Sequence, residues 1–102
     1  MTTTTVGVLL TIEAKPGREE DVANLFAGAR SIVQGEPDTV AWFALRLGPS
    51  TFGVFDAFVD DSGRQAHLTG AVPRALTDNA DLFAGPPDLR LVEVLADKLP
   101  GS

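Results

Sequence analysis

The chain has 102 residues, of which 44% are hydrophobic and 22% are charged, and its formal net charge at pH 7 is −6. This composition is typical of one globular domain, expected here over residues 1–102, and it excludes a fibrous or disordered chain. A net negative charge repels phosphates, which argues against nucleic acid as a partner. Because the chain has no cysteine, disulfides, thiolate metal sites and a cysteine nucleophile are excluded.

The sequence carries no pattern of membrane insertion or export. No segment approaches the roughly 20 consecutive apolar residues of a membrane span. The N-terminus runs through four threonines into a strand-like segment, without the basic start and apolar core of a signal peptide. We therefore expect a soluble cytoplasmic protein.

The first half of the chain predicts a strand and then a helix. Apolar residues recur at every second position from Val6 to Ile12, as in a strand with one buried face. After a turn at residues 15–17, acidic residues and apolar residues at helical spacing predict one amphipathic helix over residues 18–33. Gly35 and Pro37 supply its stop.

The middle of the chain predicts a β-hairpin. Residues 39–47 and 52–59 are rich in β-branched and aromatic residues, and residues 48–50 have turn composition. Both strands are apolar on both faces, and Asp56 is the exception. The length of the turn sets the register of the two strands. A two- or four-residue turn would put Asp56 and Trp42 on different faces of the sheet, and a three-residue turn would put them on the same face.

The remaining elements are two short helices and a strand. Ser62 with Gln65 three positions later predicts a capping box at the start of the first of these helices, which carries His67. Pro73 predicts a break near residues 69–70 and a second helix that has the proline in its first turn. Residues 89–95 predict the last strand.

The order β-α-β-β-α-β predicts an α+β, ferredoxin-like fold with a four-stranded antiparallel sheet. Two helices can cover only one face of such a sheet. The second and third strands would then leave an apolar face uncovered, which soluble monomers rarely do. We therefore expect a homodimer in which two sheets close into a barrel.

The sequence resembles the antibiotic biosynthesis monooxygenase family of dimeric α/β barrels. The resemblance rests on Phe55 and Asp56 in a strand, then Phe58, the acidic pair at residues 60–61, and Ala66 with His67 in the next helix. It covers nearly the whole chain and is closest to small bacterial members assigned as quinol monooxygenases. It implies oxidation of a small aromatic or quinol-type compound by molecular oxygen, with no flavin, haem or metal cofactor. The family acid corresponds to Asp56 and its helix histidine to His67.

His67 and Asp56 are therefore the candidate catalytic residues. An imidazole can accept a phenolic proton at neutral pH, and Asp56 would orient it. The competing interpretation is that His67 bonds Asp56 or a backbone carbonyl and only fixes its helix to the sheet. A metal site is not expected, because one histidine and scattered carboxylates lack ligand spacing.

Six further residues are candidates for substrate binding. Aromatic side chains could form a slot for a planar ring, although such residues are also ordinary core and interface residues. Arg46 could hold an anionic oxygen of a substrate, or it could pair with an acid or reach solvent. The six are Phe26, Trp42, Arg46, Phe52, Phe55 and Phe58.

Three functions remain open from the sequence. The first is a cofactor-independent monooxygenase. The second is a haem-binding or haem-degrading barrel with His67 as the axial ligand. The third is a dimeric small-ligand-binding or structural protein without enzymatic activity.

Overall fold

The structure, a computed structural model, describes residues 3–100 and has the predicted α+β, ferredoxin-like fold. Its four strands are β1 (Val6–Glu13), β2 (Ala41–Arg46), β3 (Thr51–Phe58) and β4 (Asp88–Glu93). They form one antiparallel sheet in the order β2-β3-β1-β4. Each strand lies within two residues of its prediction at both ends. For β1 the reason is that its alternating apolar residues coincide with a buried face of the strand.

The helices are α1 (Glu19–Gly28), α2 (Arg30–Val33), α3 (Asp61–Leu68) and α4 (Ala71–Asp78), and a 3₁₀ turn follows at Ala80–Leu82. The single helix predicted over residues 18–33 is therefore divided. At the division, the Ala29 N–H is shared between the Leu25 and Phe26 carbonyls at 3.1 and 3.2 Å. Gly28 is a weak helix former, and its position explains why the regular pattern ends there. The helix over α1 and α2 continues in direction, since Ala29 keeps right-handed helical angles.

The predicted capping box at Ser62 is wrong. Helix α3 begins after Asp60, whose side chain accepts a hydrogen bond of 3.0 Å from the Gly63 N–H. An aspartate in extended conformation accepts a hydrogen bond from this amide as well as serine would. Its negative charge is also attracted to the partial positive charge at the N-terminus of the helix. Ser62 lies one position inside the helix and is exposed. Pro73 lies in the first turn of α4, as predicted.

The turn of the hairpin between β2 and β3 has three residues, which decides between the turn lengths that the sequence left open. The Leu47 N–H donates to the Thr51 carbonyl at 2.8 Å, so residues 48–50 form the turn. In this register Trp42 lies directly opposite Asp56, and Phe43 lies opposite Phe55. Directly opposed residues point to the same face of a sheet. Asp56 and Trp42 are therefore on one face, and Phe55 is on the other.

One face of the sheet packs on the helices and contains the core. It carries the buried residues Leu10, Ile12, Phe52 and Val54, which pack with Val22 and other residues of the helices. Burial of these aliphatic and aromatic side chains supplies most of the driving force for folding, at about 25 cal/mol per Å² of apolar surface.

The other face of the sheet, called here the outer face, has no helix on it. It is formed by apolar residues of all four strands and of the hairpin turn. Phe43 and Leu47 are each 55% exposed on this face, and Leu45 is 41% exposed. The apolar residues of the outer face are Leu9, Ala41, Phe43, Leu45, Phe55, Ala57 and Val92 on the strands, with Leu47 and Val59 just beyond the strand ends.

Gly7 lets the outer face pack closely at its centre. A Cβ atom at this position would lie 3.3 Å from both the Phe55 ring and the Val92 side chain, and 2.5 Å from the Asp56 carbonyl oxygen. Any side chain at residue 7 would therefore displace the strand that holds Asp56.

Within residues 3–100, none of the helices has the length and apolar character needed to cross a bilayer.

Candidate functional site

His67 lies between two carboxylates. Its Nε2 atom is 3.0 Å from Asp56 Oδ2, and its Nδ1 atom is 2.8 Å from Glu36 Oε1. Asp56 extends from the middle of β3 with 1% of its surface exposed, and His67 extends from the last turn of α3 with 6% exposed. The sequence prediction that Asp56 and His67 converge is thus matched by their positions, and Glu36 is an additional partner.

The charge state of His67 follows from these contacts. A neutral imidazole has one N–H donor, whereas two carboxylate acceptors need two donors. The imidazolium form satisfies both. Burial lowers the pKa of His67, but hydrogen bonds and charge attraction from Asp56 and Glu36 outweigh burial, so that the net pKa is raised above its ordinary value of 6.5. The site therefore holds a cation between two anions.

The raised pKa predicts a pH dependence of stability. A pKa that is higher in the folded than in the unfolded state stabilises the fold fully below about pH 6.5, and this stabilisation is lost as the pH rises through the folded pKa. We expect the free energy of unfolding to fall over that interval. Urea unfolding from pH 6 to pH 9 measures the fall.

Since His67 is the only histidine, NMR titration of its ring protons checks the cause of that fall directly. The midpoint should lie above 6.5. A midpoint below 6.5, or a stability that rises across this interval, would contradict the assigned charge state.

A cavity of about 510 Å³ lies between the sheet and the helices, with Asp56 and His67 in its wall. This volume is within the range of small-molecule sites, which are mostly apolar with a few placed polar groups. The polar side chains of this wall are Asp56, His67, Thr77 and the indole of Trp42. Its apolar part includes Val8, Leu10, Leu25, Phe26, Val54, Leu68, Val72, Leu76, Phe83 and Leu89.

Two polar atoms at this wall are buried without a hydrogen-bond partner. They are Oδ1 of Asp56 and Nε1 of Trp42. A buried polar group that is left unpaired costs about 1–3 kcal/mol, and more when it is charged. Most such groups in folded proteins are paired, so each exception calls for an explanation.

The structure places the predicted substrate-binding residues in three different environments. Trp42 and Phe26 line the cavity. Phe52 lies in the core, edge-on to Phe26 at 5.9 Å between ring centroids, and the Arg46 guanidinium lies 5.0 Å from its ring. Arg46 also pairs with Glu20 at 3.2 Å, so its charge is directed away from the cavity.

The other two phenylalanines do not form an aromatic slot with Trp42. Phe58 is fully buried and packs against the His67 ring, 5.4 Å between centroids. Phe55 lies on the outer face, because it is the neighbour of Asp56 and successive strand residues point to opposite faces. The predicted aromatic slot is therefore divided between the cavity, the core and the outer face.

Glu36 was missed by the sequence analysis. It lies in the loop between α2 and β2, and its Oε1 atom also accepts a hydrogen bond of 2.8 Å from the Thr39 hydroxyl. The sequence marks this segment only as a stop, through Gly35 and Pro37. A glutamate in such a loop has no periodic signal, and only the packing of α3 beside the loop reveals its role.

The site does not fit an axial haem ligand. Both ring nitrogens of His67 are bonded to carboxylates, so that neither has a lone pair free for iron unless a buried contact is broken. Within residues 3–100, no three His, Asp or Glu side chains converge at the spacing of metal ligands.

No protein-family model matches the sequence, and no curated protein matches it either. Among solved structures, a protein of unknown function from Nitrosomonas europaea is 48% identical, with a TM-score of 0.96 over 100% of both chains. The chain belongs to the family of this Nitrosomonas protein. Identity of this degree over both full lengths means that the two chains share their fold throughout.

More distant structures share the fold at lower identity. A candidate antibiotic biosynthesis monooxygenase from Caulobacter crescentus is 15% identical, with a TM-score of 0.77 over 91% of this chain and 92% of that one. Another, from Chloroflexus aurantiacus, is 14% identical, with a TM-score of 0.74 over 96% and 100%. This chain and the Nitrosomonas protein thus share the fold of the structures named as antibiotic biosynthesis monooxygenases.

Proposed function

We propose that this protein is a monooxygenase that oxidises a small aromatic or quinol-type compound with molecular oxygen and without a bound cofactor. The observation that carries the proposal is the apolar cavity of about 510 Å³ with Asp56 and His67 in its wall, where they form with Glu36 a hydrogen-bonded Asp56–His67–Glu36 relay. An apolar cavity suits a planar ring, and the relay supplies charge and proton acceptors where the ring would be activated. The fold of the monooxygenase-like structures supports the same reading.

In this proposal Asp56 contacts the substrate directly, and His67 acts through its hydrogen bond to Asp56. His67 was expected to accept the substrate proton directly, but its two nitrogens are engaged by carboxylates. Asp56 has the oxygen without a partner, and it is therefore the group that would accept the proton. The His67 imidazolium then stabilises the negative charge of the deprotonated substrate, while Glu36 holds the imidazole ring in place.

The proposed reaction balances without a further reductant. The substrate loses a proton to Asp56, and its anion transfers one electron to oxygen. The two radicals combine at a ring carbon, and cleavage of the O–O bond leaves one oxygen atom on that carbon. The second oxygen atom leaves as water with two hydrogens of the substrate, namely one from the oxidised carbon and the proton that Asp56 accepted at the start and now returns.

We further propose that the outer face is covered by a second copy of the chain. Phe43, Leu45 and Leu47 are apolar and each more than 40% exposed. A continuous apolar surface of this kind on a sheet is typical of an interface. Pairing of identical faces about a two-fold axis closes the surface without leaving an edge for further growth.

A ligand-binding or structural protein is the second candidate. One observation favours it: the pairing of both His67 nitrogens with carboxylates would also suit a purely structural contact between α3, β3 and the loop at residue 36. In that case Asp56 would have no role in turnover, because there would be none.

The activity predicts oxygen uptake that depends on Asp56. We expect the protein to accelerate oxygen consumption by anthrone or a reduced naphthoquinone above autoxidation, and Asp56→Asn to lower the rate by about 10²–10⁴-fold, the usual contribution of a general base. An oxygen electrode measures the rate. Labelled ¹⁸O₂ should enter the product, which separates a monooxygenase from a simple quinol oxidase.

Gln65→Ala is the matched control, because Gln65 lies exposed on the same helix as His67. It should leave the rate unchanged. Uptake no faster than autoxidation with both probes would reject the proposal in favour of the second candidate. An Asp56→Asn variant as active as the parent chain would reject the role of Asp56 as the proton acceptor.

A further inference from the structure

We infer that Trp42 and Asp56 together form a binding site for one hydroxyl group of an aromatic ligand. The inference rests on the proposed function only in taking the cavity as the substrate site. It adds what part of the substrate is recognised and by which atoms. The pair of residues is called here the hydroxyl site.

The two unpartnered atoms are complementary. Nε1 of Trp42 is a donor and Oδ1 of Asp56 is an acceptor, and both are buried without a partner. A hydroxyl group is the smallest group that serves both, since its oxygen accepts one bond while its proton is donated in the other. A ketone, an ether and a carboxylate can only accept hydrogen bonds, so none of them serves both atoms.

The positions of the two residues also fit one small group. Trp42 and Asp56 are directly opposed across β2 and β3 and line the same cavity. The Cβ atoms of such pairs lie about 4.5–5.5 Å apart. A ligand atom between the two side-chain ends would therefore be within reach of both, and the other polar bonds of the site would remain intact.

Asp56 is held in the form that the hydroxyl site requires. Its other oxygen, Oδ2, bonds His67 Nε2 at 3.0 Å, which fixes the carboxyl group and leaves Oδ1 as the oxygen that can accept a bond from a ligand. Only 1% of Asp56 is exposed, so water competes weakly for Oδ1. The hydroxyl site should consequently select neutral phenols and naphthols and repel aromatic carboxylates, which would bring a second negative charge beside Asp56.

The test measures binding without turnover. Isothermal titration calorimetry under argon compares the affinities of four ligands that share the naphthalene ring system. They are 2-naphthol, 2-methoxynaphthalene, naphthalene and 2-naphthoate. We expect 2-naphthol to bind about 10- to 100-fold more tightly than naphthalene, because the hydroxyl makes two bonds, one to a charged group. The methoxy compound should lie between them, and the carboxylate should bind most weakly.

Two variants separate the hydroxyl site from general affinity for apolar rings. Trp42→Phe keeps an aromatic ring but removes the donor, and it should reduce the preference for 2-naphthol over naphthalene by about 5- to 10-fold. Phe26→Leu, in the same cavity wall, removes apolar contact only. It should weaken both ligands and leave their ratio unchanged.

A spectroscopic measurement avoids variants altogether. Trp42 is the only tryptophan, so ¹⁵N-labelled protein gives a single indole N–H signal. That signal should shift on addition of 2-naphthol and shift less with naphthalene. Equal affinities for the two ligands, an unchanged ratio in Trp42→Phe, or an unmoved indole signal would overturn the inference.

Failure of the proposed function is distinguishable from failure of this inference. A preference for 2-naphthol without oxygen uptake would mean that the hydroxyl site exists in a ligand-binding protein. Oxygen uptake without that preference would mean that the substrate is held by other groups of the cavity.

Discussion

Replacing His67 with leucine should lower the free energy of unfolding by about 3–5 kcal/mol, the usual result of removing one partner from a buried ion pair. Asp56 is 1% exposed, and Glu36 is only partly exposed. Without the imidazolium, Asp56 keeps a buried charge that no other side chain compensates. Urea or thermal unfolding measures the change, and for a domain of this length the melting temperature should fall by at least about 12 °C.

The double variant Asp56→Asn with His67→Leu identifies the cause of the loss. If the loss comes from the uncompensated carboxylate, then removing its charge should restore part of the stability, and the two substitutions should be non-additive by more than about 0.5 kcal/mol. Gln65→Ala, an exposed position of the same helix, should change stability by less than about 0.5 kcal/mol. A His67→Leu variant as stable as the parent chain would show that the buried cluster contributes nothing to the fold.

Replacing Phe43 with glutamate should convert the proposed dimer into monomers. Phe43 is 55% exposed and lies on the edge strand β2, directly opposite Phe55 on the outer face. In a two-fold dimer the substitution places two negative charges in an apolar interface, where neither has a partner. We expect the dissociation constant to rise by at least about 100-fold, since an unpaired buried charge costs several kcal/mol. Sedimentation equilibrium measures it.

Ser62→Glu is the matched control, since it adds the same charge at an exposed position on the helix side of the protein. It should leave the dimer intact, at about twice the 10.7 kDa mass of one chain. A parent chain that sediments as a stable 10.7 kDa species at micromolar concentration would contradict the proposed dimer. So would a Phe43→Glu variant that associates as strongly as the parent chain.

The elements of the fold were predictable because their signals are local. Alternation from Val6 to Ile12, helical spacing after Gly17, and Pro73 at the start of α4 each depend on residues a few positions apart. The same holds for the turn at residues 48–50. Where local signals compete, the prediction was wrong: Asp60 and Ser62 are both good capping residues, and the contact of Asp60 with the Gly63 amide decided between them.

The sequence by itself determined the order and type of the elements and the surplus of apolar residues on β2 and β3. Only the tertiary structure decided the register of the hairpin. This register places Asp56 and Trp42 on the same face of the sheet and Phe55 on the outer face. It also decided that Glu36, which is 31 residues from His67 along the chain, completes the buried cluster. The physical reason is that propensity and periodicity act over one or two turns of chain, whereas register and side-chain pairing depend on how distant segments pack.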